Sequence, residues 1–431
     1  MKRIVAVSCV AAVLLAGLTL TTSLTAQESP QKGHQPSYKV IDLGTLGGTF
    51  ALAGGMNDWG LVVGASTLPG DTAEHAFFWR PGSMTDLGTL GGPDSFATWP
   101  FNDWNQIAGG AETSEPDPNG EDYCGWGTYL ICLPFLWQRG VMTPLPLLGG
   151  NNGAAYEINN WGVVAGEAET ATAGSDCTPP QVLEPQAAFW SKGKVHELPT
   201  LAGDTAGAAI VINDLGQIAG ISGTCTNRAL HAVFWQNGTV IDMGNLGGTG
   251  NNSPNDINNR GQVVGYSNLS GDETAHAFLW GKRSGMKDLG TLAGDFSSSG
   301  DGINNLGQVV GGSCDADGNC RAYLWEKGVM TDLNTLIPPD STLYLLEATG
   351  TINDLGEIAG EAYDTVSGEI HPFLLVPCGR GHGHVAGCKD RAQNAGAVNG
   401  ALRQHRKIVL PENIRQMLQR YRGGKGSIRR F

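Results

Sequence analysis

Charged residues are scarce in this chain: Asp, Glu, Lys and Arg make up 16% of its 431 residues, and aromatic residues make up 7%. Together with 64 glycines, this composition favours a turn-rich β protein over a helical bundle. Beyond the N-terminus, no segment is apolar enough to predict a membrane span. The sequence also lacks a Gly-x-Ser-x-Gly elbow, a His-Glu-x-x-His motif, a phosphate-binding loop and a sialidase-type Asp-box, so no catalytic set is predicted.

The first 26 residues are typical of a secretory signal peptide. Lys2 and Arg3 precede an apolar stretch that ends in small residues, and we expect cleavage after Ala26. Cys9 lies inside this segment without the setting of a lipoprotein cysteine. We therefore expect the mature chain to be secreted, or to lie at the cell surface or in the periplasm. Its eight remaining cysteines suit such an oxidising compartment.

Charges of opposite sign are concentrated in two parts of the chain. Residues 27–378 carry a net charge of −26, whereas residues 379–431 carry twelve Lys or Arg against Asp390 and Glu412, a net of +10. Because the acidic body would repel phosphates, we expect no nucleic-acid partner. The basic tail, with a short helix predicted near 411–422, could contact the acidic body, an anionic cell surface or nothing.

A nine-residue phrase recurs seven times, for example as INNLGQVVG from residue 303 and as INDLGQIAG from residue 212. It contains a hairpin turn, Asn-Asp/Asn-x-Gly, in which glycine takes the positive φ that other residues resist. Strand-like runs flank this turn, and two more, of the types HAFLW and DLGTL, follow in fixed order. The turn asparagines lie 45 to 57 residues apart, which is the size of a four-stranded propeller blade. They are Asn57, Asn102, Asn159, Asn213, Asn258, Asn304 and Asn353.

The order of the runs predicts how the ring closes. YKVIDLGTLGG at 38–48 is a fourth-strand sequence before any first strand, and the last unit stops after HPFLLVPC at 371–378 without a fourth strand. The N-terminal strand can therefore complete the last blade and leave no free edge. We predict an all-β fold over residues 38–378, a seven-bladed β-propeller of four-stranded blades. A linker at 27–37 precedes it, and a short, basic, Gly-rich and partly disordered tail follows.

Six tryptophans recur at one position of the HAFLW-type run, where a propeller needs large apolar side chains between blades. We therefore predict that they pack in the core rather than bind a ligand. These residues are Trp79, Trp137, Trp190, Trp235, Trp280 and Trp325, with Leu375 in the seventh unit.

The phrases DLGTLGG, IN(D/N)xGQVVGxS and HAFLW, recurring in this order, resemble the HAF-repeat family of extracellular bacterial repeat proteins. The resemblance covers residues 38–378 and is best in units 1, 5 and 6. Units 2, 3 and 7 depart from it, and in unit 2 Asn105 stands where the turn glycine is expected. The resemblance implies secretion and a repeat fold, and it implies no activity for any residue of this chain.

Four units begin the HAFLW-type run with histidine, and a ring of imidazoles around a channel could bind a metal. However, the same position is Leu133, Gln186 and Arg321 in three other units, and no Cys or carboxylate recurs beside it. Structural hydrogen bonding is therefore the favoured interpretation. The four histidines are His75, His231, His276 and His371.

Trp59, Trp104 and Trp161 occupy position x of three consecutive Asn turns. A turn tip is usually exposed, so these side chains could form an aromatic platform that binds a sugar or a peptide. The alternative is that each tip folds back onto the adjacent turn. Exposed aromatic clusters are uncommon without a partner, which keeps the platform as a candidate site.

Six cysteines fall between the second and third strands of their units, in connections that all emerge on one face. The expected bridges are Cys124–Cys132, Cys177–Cys225 and Cys314–Cys320. Within the last of these connections, Asp315, Asp317 and Asn319 offer oxygen ligands for calcium, although such a sequence is more often a hairpin tip.

One further stretch has metal-like spacing. Cys378, His382, His384 and Cys388 could supply two thiolates and two imidazoles to a tetrahedral zinc ion. Outside the cell the thiols should oxidise, so a Cys378–Cys388 disulfide is the favoured alternative.

These features give a leading hypothesis and two alternatives for function. The leading one is a monomeric, non-catalytic binding or scaffold module outside the cell, with a carbohydrate or protein ligand and no cofactor unless calcium or zinc binds. A propeller-type polysaccharide lyase or hydrolase is the first alternative, and a structural component of the cell envelope is the second.

Overall fold

The computed structural model describes residues 37–379 and 408–422. The first of these ranges forms seven four-stranded antiparallel sheets, the blades of a β-propeller. The predicted fold class, blade count and strand order are therefore confirmed.

The strands follow one another along the chain within blades 1 to 4. Blade 1 contains β2 (Ala51–Met56), β3 (Val62–Thr67), β4 (Glu74–Arg80) and β5 (Ser83–Asp86). Blade 2 contains β6 (Gly91–Phe96), β7 (Ile107–Pro116), β8 (Leu130–Gln138) and β9 (Val141–Pro144). Blade 3 contains β10 (Gly149–Ile158), β11 (Val164–Ala173), β12 (Leu183–Ser191) and β13 (Lys194–Glu197). Blade 4 contains β14 (Ala206–Ile212), β15 (Ile218–Gly223), β16 (His231–Gln236) and β17 (Thr239–Asp242).

Blades 5 and 6 repeat this order, whereas blade 7 takes its fourth strand from the start of the described chain. Blade 5 contains β18 (Gly247–Ile257), β19 (Gln262–Leu269), β20 (Ala275–Gly281) and β21 (Gly285–Gly290). Blade 6 contains β22 (Ser297–Ile303), β23 (Val309–Cys314), β24 (Cys320–Glu326) and β25 (Val329–Asp332). A 3₁₀ turn (Leu333–Thr335) precedes blade 7, which contains β26 (Leu343–Glu347), β27 (Ile358–Asp364), β28 (Ile370–Cys378) and β1 (Ser37–Asp42).

Antiparallel order places the connections of every blade alternately on two faces of the propeller. The Asn turns between first and second strands lie on one face, which we call the turn face. The connections between second and third strands, which carry the six cysteines, lie on the opposite face, which we call the loop face. The three predicted bridges of that face, Cys124–Cys132, Cys177–Cys225 and Cys314–Cys320, are present.

The glycine that ends the repeated phrase allows the strands of a blade to pack closely. A Cβ atom on Gly265 would lie 2.0 Å from the main-chain oxygen of Ser253 and 2.9 Å from the ring of Phe278. Gly311 is placed in the same way against Ser299. A larger residue would therefore push the first and third strands away from the second.

The predicted tryptophan core is confirmed. All six tryptophans of the third strands are at most 9% exposed, and Leu375 is fully buried at the equivalent position. Two of the indoles also bond to the connection that leads from the preceding blade into their own: Trp190 Nε1 donates to Pro146 O and Trp235 Nε1 donates to Pro199 O, both at 2.7 Å. Apolar packing and these bonds together fix the order of the ring.

Ring closure by the N-terminal strand is also confirmed. β1 pairs antiparallel with β28, with Val40 opposite Leu375. The imidazole of His371 in β28 lies 2.9 Å from the carboxylate of Asp42 in β1. Blade 7 therefore joins strands from the two ends of the propeller sequence, and this junction is the seam of the ring.

The predicted helix of the tail is present as α1 (Glu412–Arg422), and it packs on the loop face. Leu410, Ile414 and Leu418 are buried, and they share an apolar cluster with residues of blades 1 and 7. The blade residues of that cluster include Phe50, Tyr344, Leu346 and Ile370. The backbone N–H of Leu410 also donates to Asn319 Oδ1 in blade 6 at 3.0 Å. Of the three alternatives left open for the tail, the described segment 408–422 contacts the propeller, and it does so mainly through apolar packing between blades 1 and 7.

Candidate functional site

Each turn asparagine fixes the conformation of its own hairpin. Asn213 is 4% exposed, and its Oδ1 accepts the backbone N–H groups of Leu215 and Gln217, both at 3.0 Å. The fourth turn residue lies in the left-handed region, with a φ of 70° at Gly216 and of 55° at Asn105, which replaces the glycine in blade 2. Because asparagine tolerates this region, the departure of unit 2 from the motif preserves the turn.

Hydrogen bonds also join successive turns around the axis, from blade 2 to blade 7. Asn213 Nδ2 donates to Asn258 O at 2.9 Å, and the backbone N–H of Asp214 donates to Asn259 Oδ1 at 2.9 Å. The Nδ2-to-carbonyl bond also joins Asn102 to Asn159, Asn159 to Asn213, Asn258 to Asn304, and Asn304 to Asn353. The turns of blades 2 to 7 are therefore held in one continuous belt.

The third residue of each turn lies at its tip. Trp59 is 72% exposed, Trp104 69% and Trp161 77%. Trp104 Nε1 donates to Asn160 O at 3.1 Å, and Trp161 Nε1 donates to Asp214 O at 2.9 Å. These two indoles therefore lean on the adjacent turn and still present their ring faces to solvent. The tips are thus exposed, and two of them are hydrogen-bonded to the adjacent turn; ligand binding at Trp59, Trp104 and Trp161 stays a prediction.

The seven tip residues form a ring on the turn face, which we call the tip crown. It consists of Trp59, Trp104, Trp161, Leu215, Arg260, Leu306 and Leu355. Six of the seven are large apolar side chains with exposures between 55% and 77%, and they make up half of the large apolar side chains that are exposed in residues 37–379 and 408–422. Apolar surface gathered on one face in this way is a common mark of a binding surface.

Within the crown, the propeller axis opens into a pocket of about 140 Å³, which we call the axial funnel. Its wall is formed mainly by the first two residues of the seven turns and by the strand residues that precede them. Six acids line it: Asp58, Asp103, Glu157, Asp214, Asp256 and Asp354. No Lys, Arg or His of the described chain lines it. The sequence alone did not predict this funnel, because six different units supply one acid each.

The acids of the funnel are close enough to influence one another. Burial raises the pKa of Asp58 to about 6, and the charges of Asp103, Asp354 and Asp214 act in the same direction. Burial also raises the pKa of Asp256 to about 6, although hydrogen bonds to this carboxylate oppose the shift. Both directions follow from negative charge held in a partly desolvated place without a cation beside it.

The two deepest acids have structural partners. Glu157 Oε2 accepts the backbone N–H of Ile212 at 2.8 Å, and Asp256 Oδ2 accepts that of Ile303 at 2.8 Å and the hydroxyl of Thr351 at 2.8 Å. Burial raises the pKa of Glu157 well above its usual range, with a further contribution from the charge of Asp256. Each of these acids thus connects its own first strand to that of the next blade.

The acids of the turns divide into two pairs. Asp214 Oδ1 accepts the backbone N–H of Asn160 at 2.9 Å, and Asp354 Oδ1 accepts that of Asn305 at 2.7 Å. By contrast, the carboxylates of Asp58 and Asp103 make no hydrogen bond to another described residue. These two acids directly precede Trp59 and Trp104 in the chain. Carboxylates without a described hydrogen-bond partner and exposed aromatic side chains therefore occur together in the turns of blades 1 and 2.

The histidines of the third strands have a structural role in three blades. In blade 1, His75 Nδ1 lies 2.8 Å from the Asp86 carboxylate on the fourth strand of the same blade. The same pair recurs as His276 with Asp288 and as His371 with Asp42. The aspartate comes from the repeated DLG phrase, which explains why the two motifs recur together. Among the described residues, no group of three or more His, Cys, Asp or Glu is placed to hold a metal ion.

The calcium candidate in blade 6 forms a tight hairpin tip. Asp315 Oδ1 accepts the backbone N–H groups of Asp317 at 3.0 Å and of Asn319 at 2.9 Å. Asn319 Oδ1 accepts the N–H of Leu410, and the Asp317 carbonyl accepts the guanidinium of Arg415. These oxygens hold the loop and attach the C-terminal segment to it.

The zinc candidate cannot be placed in the fold, because His382, His384 and Cys388 lie outside the described residues. Cys378 ends β28, and its pairing with Cys388 stays a prediction.

Among the described helices, none is both long and apolar enough to cross a membrane.

No known family model matches the sequence, and no curated protein is significantly similar to it. Among solved structures, a puromycin-hydrolysing peptidase of Mycobacterium tuberculosis covers 78% of this chain at 12% identity with a TM-score of 0.46, and this chain spans 56% of that protein. The β-propeller domain of the Trilobed protease from Pyrococcus furiosus covers 76% of this chain at 10% identity (TM-score 0.45), with 97% of its own length matched. A lectin from Aleuria aurantia covers 69% at 8% identity (TM-score 0.32), with 94% of its length matched. These similarities concern the fold alone.

Proposed function

We propose that this protein is a secreted, non-catalytic binding module of the HAF-repeat type, which binds its ligand on the turn face. The observation that carries the proposal is the exposure of Trp59, Trp104 and Trp161 on three consecutive turns. Large aromatic side chains in such positions cost free energy in water unless a partner covers them. The three disulfides of the loop face suit an oxidising compartment.

The rigidity of the turns supports binding rather than packing as the role of the tips. Asn102 and Asn159 cap two of these turns and bond them to the next blade, so the tip backbone is already ordered before a ligand arrives. A surface that needs little ordering loses less conformational entropy on binding. Because the Trp104 and Trp161 indole N–H groups are already bonded, a ligand would meet the ring faces of these residues.

A glycan array and a peptide array, each probed with the mature protein and with a Trp104→Ala variant, test this proposal. We expect wild-type protein to bind a defined set of ligands and the variant to lose about 1–3 kcal/mol of binding free energy, as for other stacking contacts on aromatics. A Val141→Ala variant is the control, since Val141 is 62% exposed but lies outside the crown.

Two outcomes would contradict the proposal. Binding that survives alanine at all three crown tryptophans would place the ligand elsewhere. Turnover of any bound glycan or peptide, measured as product formation, would show that the module is an enzyme and favour the lyase or hydrolase alternative.

A further inference from the structure

The axial funnel and the tip crown are continuous in the chain as well as in space. In four turns, an acid that lines the funnel is followed directly by an apolar residue of the crown. These pairs are Asp58–Trp59, Asp103–Trp104, Asp214–Leu215 and Asp354–Leu355. A ligand group that enters the funnel would therefore bring its flanking parts against exposed apolar side chains.

We propose that the crown and the funnel together bind a peptide segment of a partner protein, with one lysine or arginine side chain in the funnel and apolar neighbours on the crown. This inference rests on the proposed binding function and names the class of its ligand. The cation would lie on the side of Asp58 and Asp103, whose carboxylates are not used by the fold.

Charge complementarity argues for a cationic ligand group. Six acids and no basic residue of the described chain line the funnel, so an anionic sugar or a phosphate would be repelled. A neutral sugar could donate hydroxyl hydrogen bonds to these carboxylates but would leave their negative charge uncompensated, whereas a cation would neutralise part of it. Trp59 and Trp104 directly follow Asp58 and Asp103 in the chain and are exposed, and aromatic faces attract cations through their quadrupole.

The extent of the apolar surface argues for a peptide rather than an inorganic cation. A metal ion could sit in the funnel but would leave Leu215, Leu306 and Leu355 as exposed as before. A cation on an extended chain can fill the funnel and cover part of the crown at the same time. Arg260 is the one basic residue of the crown, and its guanidinium is bonded to Asn305 O at 3.0 Å, which holds it against the neighbouring turn.

Two matched peptides test the inference by calorimetry. The probe is acetyl-Leu-Lys-Leu-amide, and its control replaces lysine with norleucine, which keeps the alkyl chain and removes the ammonium. At pH 7.5 and low salt we expect the lysine peptide to bind at least about tenfold more tightly than the norleucine peptide. Its affinity should fall with added salt, because the attraction is screened.

A double variant, Asp58→Asn with Asp103→Asn, identifies the acids. The chain itself has asparagine at the equivalent Asn160, Asn259 and Asn305, so the turns accommodate the change. We expect about a tenfold loss of affinity for the lysine peptide, no change for the norleucine peptide and an unchanged melting temperature. Asp340→Asn, which removes one charge from an exposed position away from the turn face, should have no effect.

The pH dependence supplies a second readout. Because burial and the neighbouring acids raise the pKa of Asp58 to about 6, wild-type affinity for the lysine peptide should weaken as pH falls from 7.5 to 5. The same change should be much smaller in the double variant.

The outcomes separate this inference from the proposed function. Equal binding of both peptides would contradict a lysine or arginine site in the funnel but would leave the proposed binding function standing. Sugar binding that depends on Trp104, without any binding of the lysine peptide, would have the same meaning. Calcium ions bound in the funnel, with no binding of the lysine peptide, would likewise overturn it. Failure of both peptides and of both arrays would overturn the two proposals together.

Discussion

Trp161 and Trp190 belong to the same blade and make nearly the same hydrogen bond. Trp161 Nε1 donates to Asp214 O in the turn of the next blade at 2.9 Å, and Trp190 Nε1 donates to Pro146 O in the connection from the preceding blade at 2.7 Å. Yet Trp161 is 77% exposed and Trp190 is 2% exposed. The difference lies in buried area alone, which predicts that one residue stabilises the ring and the other is left to contact a partner.

The largest expected effect is at the buried indole. Trp190→Ala should lower the free energy of unfolding by about 3–5 kcal/mol, since it removes a buried aromatic and leaves a cavity. Urea titration followed by circular dichroism measures this, and Trp280→Ala should behave alike because Trp280 is 4% exposed at the equivalent position. A loss below about 1 kcal/mol at both sites would mean that burial does not determine the contribution of these residues.

The second largest loss of stability is expected at a buried turn asparagine, Asn213. Asn213→Ala removes two backbone caps and the bond to Asn258, so we expect a loss of about 2–3 kcal/mol. Leu215→Ala changes the exposed residue of the same turn and should cost less than about 0.5 kcal/mol. Equal losses in the two variants would show that the stability of the tip does not depend on its asparagine.

The third effect is smaller and depends on pH. The hydrogen bond to the Asp42 carboxylate at the seam raises the pKa of His371 to about 9. Because the pKa of His371 is raised, its protonated form stabilises the fold fully below pH 6.5, and this contribution is lost as pH rises through 9. The pKa of Asp42 is lowered, so the contribution of its carboxylate is lost as pH falls below about 4. Because Asp42 is partly exposed, we expect Asp42→Asn to cost only about 1 kcal/mol at pH 5.5 and almost nothing at pH 9.5.

Denaturation of wild type and Asp42→Asn at the two pH values measures that difference. Asp86→Asn, in the equivalent His75–Asp86 pair, is the control away from the seam. A cost of Asp42→Asn that is the same at both pH values would exclude the ion pair as its cause.

The smallest expected change in stability is at the exposed indole. Trp161→Ala should alter the free energy of unfolding by less than about 0.5 kcal/mol, because little apolar area is lost from the folded state. The same urea titration used for Trp190→Ala tests this. A loss comparable to that of the buried tryptophan would remove the distinction between the two and, with it, the argument for an exposed binding surface.

The repeated elements were predictable because they obey one spacing. The interval between turn asparagines predicted four-stranded blades, their seven copies predicted the blade count, and the displaced DLGTLGG phrase predicted that β1 completes blade 7. The sequence did not predict the axial funnel, because six different units supply one acid each, from turns or from strand ends, and these acids meet only when the ring closes. Glu157 and Asp256 left a signal that could have been used: both stand just before the isoleucine that precedes a turn asparagine.

The packing of the C-terminal segment was missed for another reason. The basic residues of this segment suggested an electrostatic contact. Leu410, Ile414 and Leu418, however, lie four residues apart and form one apolar stripe of the segment. This stripe indicated a packed face, but the sequence could not show which surface it covers. The surface that receives the helix combines Phe50 with Tyr344 and Ile370. Phe50 lies about three hundred residues before the other two in the chain.

The pairing of β1 with β28 has a consequence for the time course of folding. Asp42 and His371 are 329 residues apart, so the strand that is synthesised early must wait, unpaired, until the last blade has formed. Contacts of such long range are slow to form because a large loop must close first. We expect the six internal blades to assemble before the ring is shut, and the exposed edge of β28 to be the place where an unfinished molecule is most prone to pair with another chain.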